Sequence, residues 1–149
     1  MPGLASDLHR AALAVHKALL DVVRAEYEQV HGPVGNPHEL LSLVISHETF
    51  AWLRHLSALI VEIDEMEETP DADERDHAAA RAAFEELLLR SGPRFADKYA
   101  EALQTSPAVV MAHAALKKVL DALPAPREAD AALHAERRQH WGKRRPIPD

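Results

Sequence analysis

Five clusters of proline, glycine and short polar residues punctuate this chain of 149 residues: HGPVGNP (31–37), TPDADE (69–74), SGP (91–93), Ser106–Pro107 and PAP (124–126). Proline lacks an amide hydrogen and fixes φ, and glycine loses the most freedom on ordering, so neither extends a helix readily. Between the breaks apolar residues recur at three and four, and no run alternates as a half-buried strand does. Alanine is abundant and only five glycines occur in the whole chain, which favours helix further. The expected fold is all-α: an up-and-down four-helix bundle with a short extra helix and a helical C-terminal extension. The bundle domain is expected over 1–126, and the extension with its basic tail over 127–149.

The first helix is expected from about Ser6 to Val30, with Ser6 or Asp7 as cap. Leu8, Val15 and Val22 repeat at seven, as do Leu13, Leu20 and Tyr27, within one apolar arc. The second helix starts after Asn36, with Pro37 at its first position. It is expected to reach Glu68, ~45 Å at ~1.5 Å per residue. Leu41, Ile45, Trp52, Leu56, Leu59, Ile63 and Met66 form its stripe, and Leu40, Val44, Phe50, Leu53 and Ile60 widen it nearly all round. That width predicts more than one neighbour, inside the bundle or across a dimer, with Phe50 and Trp52 as interface anchors. The remaining helices are expected at 73–90, 93–104, 107–123 (capped by Ser106) and 127–140.

Composition narrows the function. Apolar residues make up 47% and charged residues 28%, the balance of a globular domain. The absence of cysteine excludes disulfides, thiolate zinc sites, iron–sulfur clusters and cysteine nucleophiles. No apolar run follows a basic start at the N-terminus, and charges interrupt every apolar stretch before the ~18 residues of a membrane span. A cytoplasmic protein is expected, and arginine over lysine with much alanine suggests a bacterial genome rich in GC. The net charge of −7 makes nucleic acid a poor partner. That charge is uneven: 62–76 holds nine acids and one arginine, whereas RRQHWGKRR (137–145) holds five basic residues and no acid. The acidic run reads as a solvated turn region. The sharper reading is that the tail docks on it, in the same subunit or a partner, with Trp141 as its aromatic anchor, and a third is that the tail meets nucleic acid or an anionic lipid surface.

Histidine carries what chemistry the chain suggests. His9 and His16 lie among Leu8, Ala12, Val15 and Leu19; His55 among Trp52, Leu56 and Leu59; His77 beside Ala80 and Phe84; His113 between Val109 and Leu116. Glu48, His55 and Glu62 repeat at seven along the second helix. Metal sites in bundles are built from Glu and His on facing helices, so His16, Glu48, His55, His77 and His113 are candidate ligands for iron, zinc or haem. The plain alternative is imidazoles at the border of the core, bonded to carboxylates or water. Spacing does not favour the metal: His9/His16 and Glu48/His55 lie ~10 Å apart along a helix, too far for one ion. In size and in a histidine on each main helix the bundle resembles hemerythrins, but it lacks their H-x-x-x-E and H-x-x-x-H pairs. No serine sits in a nucleophile-elbow context.

These features predict a small helical-bundle protein that acts through protein–protein contacts, as a homodimer. A metal- or haem-binding bundle is the first alternative. A small helical enzyme using His and Glu as acid and base is the second.

Overall fold

The structure, a computed structural model, describes residues 3–142. Those residues form seven α-helices and no strand. The helices are α1 (Leu4–His31), α2 (Pro37–Ser46), α3 (Arg54–Glu67), α4 (Glu74–Glu85), α5 (Ala96–Thr105), α6 (Pro107–Ala122) and α7 (Ala131–His140).

The punctuation acts as its chemistry requires. Gly32, at φ 84°, ends α1 in a conformation that a side chain would strain. The Asn36 side chain accepts the Glu39 amide, and Pro37 opens α2. Asp73 and Asp76 cap α4 reciprocally: Asp73 accepts from the amides of Arg75 and Asp76, and the Asp76 carboxylate accepts from the Asp73 amide. Ser106 accepts the Val109 amide at the start of α6. At α1 the expected cap is displaced. The helix begins a turn earlier, after Gly3, and the Ser6 hydroxyl is bonded to Glu67 instead.

The long second helix is broken. His47 is extended (φ −81°, ψ 137°), its ring nitrogen Nδ1 accepts the Thr49 amide, and a 3₁₀ stretch over Glu48–Leu53 leads into α3. Apolar periodicity could not show this break, because Leu40, Leu43, Val44, Phe50 and Leu53 supply apolar residues on both sides of it. The helix begun by α4 likewise widens into a π turn over Glu86–Arg90 before the 3₁₀ turn Gly92–Arg94.

The core is centred on α1. Leu8, Ala12, Val15, Leu19 and Val23 are fully enclosed, and α1 packs against both α3 and α6. They meet Leu56, Leu59, Ile63 and Met66 of α3, and Val109, Leu116 and Leu120 of α6. Burying each large aliphatic side chain stabilises the fold by up to ~1.5–3 kcal/mol. Phe50, Phe84, Phe95 and Tyr99 complete the core. The alanine-rich α4 packs against α7, and Trp141, just past α7, belongs to the same apolar cluster.

Candidate functional site

The predicted ligand residues lie in separate surroundings. His16 is half-buried on α1, and its Nε2 is 2.8 Å from Ser57 Oγ of α3. The Ser57 hydroxyl donates to the Leu53 carbonyl at 3.2 Å, so its single hydrogen is engaged and the His16 ring donates to it. Burial lowers the His16 pKa below 6.5. His113 of α6 places Nδ1 2.7 Å from the Tyr99 hydroxyl of α5. Burial, and secondarily the charge of Lys117, lowers the His113 pKa, while burial raises that of Tyr99 far above the usual phenol range. The two groups share one hydrogen bond, whose donor is set by the imidazole tautomer. Glu48 and His55 are exposed, and His77 is half-buried in the first turn of α4. The structure does not gather these five residues around one point.

Among the described residues one group has ligand atoms close enough for a single ion: His9 of α1 with Asp64 and Glu67 of α3, all within 4.8 Å of one another. His9 Nδ1 lies 3.7 Å from Glu67 Oε2. Neither carboxylate was singled out by sequence, because the acidic run reads as a solvated turn until α1 is laid beside α3. Two Glu-x-x-His pairs also occur. Glu28 is engaged by the Val34 amide while His31 lies tilted against the Tyr27 ring, and Glu74 and His77 lie in the first turn of α4.

The aromatic residues expected at an interface sit largely inside the chain. Phe50 is fully enclosed near Tyr27, and Trp52 is half-buried with its ring 5.1 Å from that of Phe95. Trp141 is enclosed as well, because the basic segment folds onto the acidic one of the same chain. Its indole Nε1 donates to Asp76 Oδ1 at 2.9 Å. Arg137 Nη1 lies 3.1 Å from both Asp73 Oδ1 and Asp76 Oδ2. Arg138 forms a two-pronged pair with Glu62, 2.9 Å to each oxygen. The Gly142 amide donates to Thr69 Oγ1. The Asp73 carboxyl, although partial desolvation opposes this, is held below its usual range by the amides of Asp76 and Arg75 and by the charge of Arg137. The rest of the expected tail, 143–145, lies outside the described residues.

A cleft of about 730 Å³ is lined by residues of α4 and its π turn, of the 125–128 segment and of α7. His134 of α7, which no sequence pattern singled out, lines it and is only 8% exposed. No helix among the described residues is long and apolar enough to cross a membrane. Compared with known proteins, the chain matches no family model, no curated protein and no solved structure.

Proposed function

We propose that this is a non-catalytic helical protein that acts through protein–protein contacts and pairs with a second copy of itself through α2. One observation carries the reading: α2 has the sequence PHELLSLVIS, yet none of its ten residues is buried. Leu40, Leu43 and Val44 lean on the core, whereas Leu41 and Ile45 are 57% and 65% exposed, and Val30 at the end of α1 is 77% exposed. A helix this short is marginal unless its apolar face is covered. A two-fold pairing of identical apolar helices covers both at once, because such an interface is self-complementary. The up-and-down order of the main helices, a cytoplasmic setting and a bacterial source belong to this reading as proposals.

Size-exclusion chromatography with light scattering at low micromolar protein tests it. The expected mass is twice 16.5 kDa, falling to 16.5 kDa for Leu41→Glu/Ile45→Glu with an unchanged far-UV spectrum. A wild-type monomer overturns the reading.

A second reading, a metal-binding bundle, is favoured by the His9, Asp64 and Glu67 group, whose imidazole and carboxylates suit zinc or manganese. Calorimetric titration of Zn²⁺ or Mn²⁺ should show one site per chain that His9→Ala abolishes; no heat in the wild type removes this reading. An acid–base enzyme built on His16, Glu48, His55 and His113 draws no support from their separate surroundings.

A further inference from the structure

The cleft beside α4 and α7 has small residues among its walls. Ala79, Ala82 and Ala83 of α4 and Ala131 and Ala135 of α7 line it together with polar side chains. Its volume falls within the range of small-molecule sites. Two further observations point to an occupant. His134 is more than nine-tenths buried and makes no hydrogen bond, ion pair or ring contact among the described residues. Neither of its ring nitrogens is sealed from solvent, and the residue lines the cleft. A buried imidazole normally has a partner, and this one has an open space in place of it.

The second observation is the π turn. Glu86–Arg90 departs from the α-helix at the mouth of the cleft, and both Glu86 and Arg90 line it. Such turns are rare and are found often at functional sites. Arg81, Arg127 and Arg138 also line the cleft but are engaged, with the Leu123 carbonyl, Asp130 and Glu62 respectively. Arg90 has no such partner, and neither do the rim carboxylates Glu86 and Glu128.

We propose that this cleft binds a small organic monoanion, a carboxylate on an apolar body, held by His134 and Arg90 with its hydrocarbon part on the alanine walls. The unpaired donors select an anionic oxygen acceptor. The rim carboxylates oppose a second negative charge, so a doubly charged phosphate fits less well than a carboxylate. The alanines give no hydrogen bonds and suit an apolar body.

Benzoate is the probe, with benzamide as its neutral counterpart and inorganic phosphate as the competing anion. The readout is the ring resonances of His134 in a carbon–proton NMR spectrum of the full chain, assigned by comparison with His134→Gln. Benzoate should move them saturably, with a dissociation constant in the millimolar range expected for so small a ligand. Benzamide and phosphate should bind at least about threefold more weakly, and Arg90→Ala should weaken benzoate by about three- to tenfold. Arg90 is exposed and unpartnered, so that variant keeps its fold even if His134→Gln does not. The proposal is overturned if benzoate at tens of millimolar leaves the His134 ring unmoved, if benzamide or phosphate matches it, or if Arg90→Ala binds benzoate as the wild type does.

Discussion

At the scale of single residues, Asp76 joins more of this molecule than any motif would indicate. Its carboxylate closes the cap of α4, receives Arg137, and accepts the indole hydrogen of Trp141. It is one of two polar or charged residues in the buried set, the other being His134. Replacing it with alanine opens the reciprocal half of the capping box, leaves a buried indole N–H without its acceptor, and leaves Arg137 with Asp73 alone. The expected cost is about 1.5–3 kcal/mol of unfolding free energy by urea titration, chiefly from unmade hydrogen bonds to a charged group. Asp76→Asn keeps one acceptor oxygen and should lose less. Equal stability of Asp76→Ala and wild type would mean that α7 is held by its apolar contacts alone. In the sequence Asp76 was one of nine acids in a run, and nothing in the run distinguished it. The exposed pair between Arg127 and Asp130, by contrast, adds little, as surface ion pairs do.

Among the elements, α2 and α7 make a contrast. The composition of α2 is apolar and that of α7 polar, yet α7 buries a residue, His134, and α2 buries none. Charge explains this: α7 brings Arg137 and Arg138 to Asp73, Asp76 and Glu62, and Trp141 follows them into the core. For α2 the core is already filled by Phe50 and Leu53 of the 3₁₀ stretch that follows, so its outer face has no place inside the chain. If a second copy covers that face, the α2 amides should exchange with deuterium more slowly in the wild type than in Leu41→Glu/Ile45→Glu. The expected ratio is at least about tenfold, since about 1.4 kcal/mol of added protection is tenfold in rate. Equal exchange in the two proteins would leave α2 without a partner. The periodic pattern correctly marked both segments as helical. It could not say which would be covered, because coverage depends on what competes for the same surface.

For the whole molecule, stability should depend on pH through its half-buried imidazoles. In the unfolded chain His16 and His113 take up protons as pH falls through about 6.5. In the fold, burial holds both neutral to lower pH. The unfolded state therefore binds more protons in that window, and stability is lost as pH drops below 6.5 until the folded-state values are reached. The melting temperature should fall by a few degrees between about pH 7.5 and about pH 5.5, and by less in His16→Gln, which cannot titrate. An identical pH profile for that variant would show that His16 is not a source of the effect. The sequence by itself determined that the chain is helical, where most helices end, which faces are apolar, and that an acidic and a basic segment of opposite charge would attract. Those properties are set locally, by backbone freedom, capping side chains, period and charge. Only the tertiary structure decided that the histidines of α1, α3, α4 and α6 would not meet, that His9 would instead lie beside Asp64 and Glu67, and that His134 would be enclosed beside an open cleft. Convergence of side chains depends on the rotation and offset of one helix against another. Those are fixed by how large and small residues interlock across a contact, which the apolar period along one helix does not record.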